Sequence, residues 1–357
     1  MPTVPLLDVT GAVRWINETG AQELITSLIG TLESDFRRWE SFERSPRAAS
    51  HSPTGVIELM PTSDGLTYSF KYVNGHPSNP GHGLQTVTAF GVLADVSSGY
   101  PVFMAEMTLL TALRTAATSA LAARFLAPPR SHVMAMIGTG SQAEFQALAF
   151  RTELGINSLR VHDTDPHTVA KFVRNATALG FDVHVAADAE EAVAGAQVIT
   201  TCTADKTNAT VLTSAMVESG VHVNAIGGDC PGKTELEAAL LVRSKVFVEH
   251  TEQTRIEGEI QQMPADFACT ELWEVVVGSD PGRTSAEQIT VFDSVGFAIE
   301  DFSVLRHARA AVSGTAWVTH LDLIAEPVDP KDLYSLLTDT AAIRPPPPAF
   351  RTGARSG

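Results

Sequence analysis

The string Gly138-Thr139-Gly140-Ser141-Gln142-Ala143 follows an apolar run, Val133 to Ile137, and opens a helical pattern from Ser141 to Leu154. Glycine permits a tight turn and a close backbone approach, and the N-terminus of the following helix offers N–H donors to a pyrophosphate. Asp163 lies 20 residues beyond Ala143, at the end of the next strand-like run. An acid at that place can bind both ribose hydroxyls and repels a 2′-phosphate, which favours NAD over NADP. Thr203, after the run Val198 to Cys202, falls where such folds meet their cofactor at strand ends. The alternative is a glycine-rich turn in an α/β fold that holds no dinucleotide.

A second candidate is Asn224-Ala225-Ile226-Gly227-Gly228-Asp229-Cys230-Pro231-Gly232-Lys233. An apolar strand runs here into a glycine-rich turn with one carboxylate, Asp229. At the carboxyl end of a sheet that group would stand near a nicotinamide and could shuttle protons to and from an amine. The same segment also fits an Asp that merely forms an Asx turn beside glycine, which is the commoner role. Cys230 has no adjacent base to make it a nucleophile.

Arg47, Glu58, Lys71 and Arg114 form a third set. Glu58 and Lys71 lie in apolar strand-like runs, where a charge needs a partner or a ligand. Arg114 interrupts a helix of Ala, Thr and Leu. Two Arg and a Lys can bind an anionic group, Arg in bidentate fashion, and Glu58 can take an ammonium. The alternative is a set of structural ion pairs or exposed strand faces. The 11 His include no HxH or HxxxH spacing, so no metal is expected.

The rest of the chain excludes several classes. Against 25 basic residues stand 41 acidic ones, a net charge of −16, which opposes nucleic-acid binding. Three cysteines far apart predict neither a disulfide framework nor a zinc site. The apolar stretch Thr108 to Ala127 carries Arg114 and Arg124 and reads as a buried helix rather than a membrane span. No signal peptide is recognisable, so a cytoplasmic location is expected.

These residues need a scaffold of two kinds. Residues 11–40 show helical patterning. From residue 55, β-like runs (Val56 to Met60, Tyr68 to Val73, Leu84 to Leu93, Pro101 to Met107) follow one another without helices, which predicts a mostly antiparallel sheet. After Pro128-Pro129, strands and helices alternate, which predicts a parallel sheet with helices on its faces. The expected fold class is therefore α/β, a Rossmann-type doubly wound domain over 129–315 joined to an α+β domain over 1–128 plus 316–357. The helix Phe297 to Val312 can return to the first domain. The Pro-rich tail from about residue 344 reads as disordered.

Several blocks also resemble a known family. They are Ser69 to Pro77, Thr88 to Val102, Thr111 to Ala117, Asn224 to Leu236, Gln253 to Gln262 and Thr290 to Asp301. They are similar to the bacterial ornithine cyclodeaminases of the ornithine cyclodeaminase/μ-crystallin superfamily, over roughly residues 30–335. The resemblance implies conversion of L-ornithine to L-proline and ammonia with NAD recycled internally, a place in ornithine catabolism and proline formation, and a homodimer joined through the sheets of the substrate-binding domain. It implies that Arg47, Lys71 and Arg114 bind the substrate carboxylate, that Glu58 lies near the amino groups, that Asp229 is the catalytic carboxylate and that Val295 lines the side-chain pocket. Cofactor contacts are implied at Thr86, Gly138, Gly140, Ser141, Gln142, Asp163, Thr203, Val223, Asn224, Ala225, Ile226, Lys233 and Ser294. The rivals are a lysine cyclodeaminase, a ketimine reductase or amino-acid dehydrogenase, and a crystallin-like protein that binds the dinucleotide without turnover.

Overall fold

The computed structural model describes residues 3–204, 209–228 and 230–338. Strand β1 (Val4–Leu7) leads to α1 (Val9–Thr19), capped by Asp8, whose carboxylate accepts the Gly11 N–H at 2.8 Å. Helix α2 (Ala21–Phe36) buries Leu24, Ile25, Leu28, Ile29 and Leu32, the spacing of one helix face. Strands β2 (Ala48–Ser52), β3 (Gly55–Ser63), β4 (Thr67–Gly75), β5 (Ala89–Asp95) and β6 (Pro101–Glu106) then pair antiparallel in succession. Their sheet is the mostly antiparallel one expected. Strand β5 starts only at Ala89: the His76 N–H still donates to the Thr86 carbonyl at 2.8 Å in the same register, but the Thr88 N–H goes to the Asn74 side chain at 2.8 Å and not to the main chain of β4.

Helix α3 (Thr108–Leu126) leaves β6, and the alternating half begins. It runs β7 (Val133–Ile137), α4 (Ala143–Leu154), β8 (Ser158–His162), α5 (Pro166–Ala178), β9 (Asp182–Val185), α6 (Ala189–Val193), β10 (Val198–Thr201), β11 (His222–Ala225), α7 (Ala238–Val242), β12 (Lys245–Val248), α8 (Thr251–Glu257), β13 (Thr270–Glu271), α9 (Leu272–Val277) and β14 (Thr290–Asp293). The strands form one parallel sheet in the order β9-β8-β7-β10-β11-β14-β12-β13. The order reverses between β7 and β10, and a doubly wound sheet opens its ligand crevice at the carboxyl ends there.

Helix α10 (Ala298–Val312) and β15 (Thr319–Leu321) close the fold. Strand β15 joins β1 at the edge of the first sheet, whose order is β15-β1-β6-β5-β4-β3-β2. A division at residue 315 would leave α10 with the parallel sheet. Its contacts are instead with α2, α3 and strands β3 to β6, so the helix lies on the first sheet. Gly91 permits this. A Cβ there would run into the Met107 sulfur and come within 2.9 Å of Leu305 of α10, so a side chain at this position would force both to shift. Because Gly91 pairs with Lys71 across the sheet, α10 settles directly over Lys71.

Helix α3 is buried along most of its length and packs on α2, α4 and α10 and on strands of both sheets. The main core reflects this. It joins α2, α3 and α10 to Phe247 and Phe292 of the parallel sheet, so the two halves share one apolar interior. No helix among the described residues is long and apolar enough to cross a membrane.

Candidate active site

A cavity of about 310 Å³ lies between the two sheets, at the reversal point of the parallel one. It brings together Arg47, Glu58, Lys71, Thr86, Arg114, Gly140, Ser141, Gln142, Thr203, Ile226, Lys233, Ser294 and Val295. These come from segments more than 200 residues apart in sequence. Asp229, the candidate catalytic carboxylate, lies outside the described residues, as does the tail from residue 344.

One wall carries the charges. Glu58 on β3 and Lys71 on β4 point to the inner face of the first sheet, where alternation along each strand places them. Lys71 Nζ donates to Asp301 at 2.9 Å, and Arg114 Nε donates to the same carboxylate at 3.0 Å. Arg114 Nη1 meets Glu300 at 2.5 Å. Arg47 lies 3.1 Å from both Glu58 and Glu257, and its Nη2 donates to the carbonyls of Val295 and Gly296 at 2.8 Å each. The four charged residues therefore take both roles considered for them. They are ion-paired, and they also line the cavity. Their partners Glu257, Glu300 and Asp301 escaped sequence reasoning, although the pair Glu300-Asp301 in an otherwise apolar first turn of α10 was a usable sign.

Burial sets the proton affinities here. It pushes Lys71 down to about 8, helped by the charges of Arg114 and Arg47 and opposed by Asp301. It pushes Glu300 up to about 8 against the pull of Arg114, and it raises Glu249 as well. Asp293 is pushed up to about 7, again by burial first. A carboxyl raised on folding takes up a proton between its two pKa values, so its contribution to stability is present at low pH and lost as pH rises. For Glu300 that window runs from the ordinary glutamate value of 4.5 to about 8. Lys71 acts in the opposite sense, but only between about 8 and 10.5. His222, which burial pushes down to about 3, opposes this fall below about pH 6.5, so the melting temperature should fall most clearly between about pH 6.5 and pH 8. Glu300→Gln should flatten that slope in a thermal unfolding series; an unchanged slope would remove Glu300 as its source.

A turn after β14 links this wall to the parallel sheet. Glu249, at the end of β12, takes hydrogen bonds from Ser294 Oγ at 2.5 Å and from the N–H groups of Val295 and Gly296 at 3.2 Å each. Gly296 has φ +74°, and an added Cβ would stand 2.6 Å from Arg114 Nη1. Its carbonyl also accepts Gln253 Nε2 at 2.8 Å. Gly296 thus serves Arg47 with its carbonyl, Glu249 with its N–H and Arg114 with the absence of a side chain.

The opposite wall is the glycine loop. Gly138 has φ +100°, and a Cβ there would stand 2.7 Å from the Cys202 carbonyl, so both conformation and space require glycine. Gly140 lines the cavity with open space where a Cβ would project. Gln142 caps α4 without a side-chain hydrogen bond, and its Oε1 is buried without a partner. An open glycine and a helix N-terminus without a side-chain cap fit a dinucleotide pyrophosphate at this loop, and the orphaned Gln142 Oε1 offers an acceptor to a hydroxyl or N–H donor of such a ligand. Asp163 stands outside the cavity, on a separate shallow groove with Pro166 and Arg174. Its Oδ2 accepts the Thr139 N–H at 2.6 Å and its Oδ1 the Asp165 N–H at 2.9 Å. Burial raises its pKa, but these donors hold it below the ordinary range, so it stays an acceptor. Of the strand Val223 to Ile226, only Ile226 reaches the cavity. Val223 and Ala225 pack in the core, and Asn224 Nδ2 binds Gln146 and Thr200 at 3.2 Å each. Lys233 Nζ donates to the Thr203 carbonyl at 3.0 Å.

The fold and the site together define a dinucleotide-binding α/β protein with a cationic pocket facing its glycine loop. The chain belongs to the ornithine cyclodeaminase/mu-crystallin family, whose model matches residues 10–316. It is 58% identical over 334 residues to the ornithine cyclodeaminase of Brucella suis, an alignment that covers 94% of this chain and 93% of that one. Among solved structures it is similar to a lysine cyclodeaminase determined for its recognition of L-lysine, L-ornithine and L-2,4-diaminobutyric acid. The TM-score is 0.89 at 31% identity, covering 96% of this chain and all of that one. It is also similar to an archaeal alanine dehydrogenase dimer with bound NAD, with TM-score 0.83 at 30% identity over 90% of this chain and all of that one.

Proposed function

We propose that this protein is an NAD-dependent ornithine cyclodeaminase that converts L-ornithine to L-proline and ammonia. The observation that carries the reading is the cavity itself. Three cations with buried side chains, Arg47, Lys71 and Arg114, share one wall with Glu58 and face a glycine loop built for a dinucleotide. When bound, NAD supplies the hydride acceptor and donor. The cations hold the substrate α-carboxylate. Arg114 spends Nε and Nη1 on Asp301 and Glu300, and its Nη2 is left for a ligand. Glu58 faces an amino group of the substrate. Asp229 takes the proton that the attacking δ-amine must lose and returns it as ammonia departs. On the cofactor side, Ser141, Gln142 and Gly140 take the pyrophosphate and Asp163 the ribose, while Thr203, Ile226, Lys233 and Ser294 surround the nicotinamide end. Holding substrate and cofactor in reacting geometry is itself worth several kcal/mol of barrier.

The test is purified protein with L-ornithine and catalytic NAD⁺, followed for proline, ammonia and absorbance at 340 nm. Proline and ammonia in equal amounts without NADH accumulation support the reading. Steady NADH accumulation would make it a dehydrogenase, and no product with NADH bound would leave a binding protein. L-Lysine runs beside it, since one methylene is worth only about 1–3 kcal/mol of discrimination.

The quaternary reading is a homodimer joined through the outer face of the first sheet, in a cytoplasmic protein. Ile57, Leu59 and Phe90 are each more than 40% exposed there, and Tyr72 stacks on Phe90 at 5.1 Å between ring centroids. Leu59, Tyr72 and Phe90 lie side by side in register, so the apolar surface is a continuous row. Phe90→Glu combined with Leu59→Glu should halve the mass seen by light scattering from twice 38.0 kDa. An unchanged dimer would move the interface elsewhere.

A further inference from the structure

The two glycines before Asp229 have a reason other than turning. Neither Gly227 nor Gly228 adopts a positive φ, so their backbone conformation admits any residue. What excludes a side chain is space. A Cβ on Gly227 would overlap the Glu235 carboxyl, and one on Gly228 would stand 2.8 Å from Glu259 Oε1. Both carboxyls are buried.

These two acids belong to a ladder. Asp293 accepts the N–H groups of Glu259 and Ile260, each at 2.9 Å. Glu259 accepts those of Glu235 and Leu236 at 2.8 and 2.9 Å. Glu235 accepts the Thr203 N–H at 2.9 Å and the Thr203 hydroxyl as well. Each carboxyl thus grips two donors of the next segment, from the end of β14 to the loop after β10. Burial and the charges of Asp293 and Glu235 hold Glu259 well above the ordinary carboxyl range, which disfavours three full charges in the ladder at once.

We propose that Glu235 and Glu259 are positioning residues, the seat on which the Gly227-Gly228 step rests, and that Glu235 also fixes Thr203, so that one side chain sets the register between substrate side and cofactor side. The role of Asp229 and of Thr203 in this statement rests on the cyclodeaminase reading above. The contacts are specific in a way that loop stapling alone would not need. The Glu235 carboxyl fills the place where a Gly227 Cβ would project and takes the Thr203 backbone N–H on its other side. Asp would draw the carboxyl back by one methylene, and Ala would empty the seat.

The test is a size-exchange cycle of Gly227→Ala, Glu235→Ala and the double variant, read by proline formation and by NADH binding through nicotinamide fluorescence. Each single variant should lose about a hundredfold in kcat/KM, as expected for displacement of a reacting group by an ångström. Each should also weaken NADH several-fold. In the double variant, the methyl group added at position 227 occupies the volume that the Glu235 side chain vacates. The double variant should therefore exceed Gly227→Ala alone by at least about tenfold in kcat/KM, a clear non-additivity. Wild-type turnover and NADH affinity in Gly227→Ala would overturn the proposal, as would a double variant whose losses simply multiply. Should Gly227→Ala not fold, Glu235→Asp decides the matter: a fall in kcat with an unshifted melting temperature supports the seat, and unchanged kcat and NADH affinity overturn it. A wild-type protein that binds NADH yet makes no proline overturns the cyclodeaminase reading instead, which keeps the two failures apart.

Discussion

Gly296→Ala is expected to cost at least about a hundredfold in kcat/KM for ornithine while leaving the protein folded. The added methyl group would stand 2.6 Å from Arg114 Nη1. It would also sit on a residue with φ +74°, where an L side chain costs about 1–2 kcal/mol. The turn can relieve neither strain alone. Its N–H is tied to Glu249, and its carbonyl is shared by Arg47 and Gln253. Displacement therefore passes to two of the three cations assigned to the substrate carboxylate, and the loss should fall mainly on KM. Steady-state kinetics beside thermal unfolding measures both. A normal KM would show that Arg47 and Arg114 do not meet the substrate together.

Asp229→Asn should lower kcat by about 10²–10⁴, the range for loss of a general acid–base group, and leave NADH affinity within about threefold of wild type. Asn keeps the size and the hydrogen-bonding capacity of Asp but cannot accept the amine proton. The contrast with Gly296→Ala is diagnostic, since one variant spares KM and the other spares kcat. Undiminished proline formation by Asp229→Asn would remove Asp229 from the chemistry and leave proton transfer to Lys71, which burial holds at about 8.

The long elements were legible because their patterns are long. The βα alternation after Pro128 gave the parallel sheet, and the fingerprint from Gly138 to Ala143 fell on the end of β7 as its spacing requires. Strands β1 and β15 were not legible. Four and three residues carry no periodicity, and they become strands through long-range pairing, β1 with β6 and β15 with β1. The site shows a sharper contrast. A charge in an apolar run needs a partner, and that argument singled out Glu58 and Lys71. The same argument applies to Glu249 after Val-Phe-Val and to Asp293 after Thr-Val-Phe, and both are fully buried. Asn224 marks the opposite case. Its neighbours in sequence suggested the cofactor, but its place in a central strand turns its side chain to Gln146 and Thr200 instead. Gly227 and Gly228 were read as turn residues, and only the fold shows two carboxyls lying against them.

Helix α3 is a spine common to both halves. Its Arg114 stands in the cavity wall, its apolar faces fill the shared interior, and its Arg124 is tied to Glu33 of α2 and Glu153 of α4. Two halves on one spine are held at a set spacing by the apolar interior they share. The gap between the cationic wall and the glycine loop then works as a fixed caliper, which measures a diamino acid by length rather than by closing around it. Retuning the preference toward a longer or shorter chain becomes a matter of the caliper's facing, at Met60 and Val295, which both line the cavity.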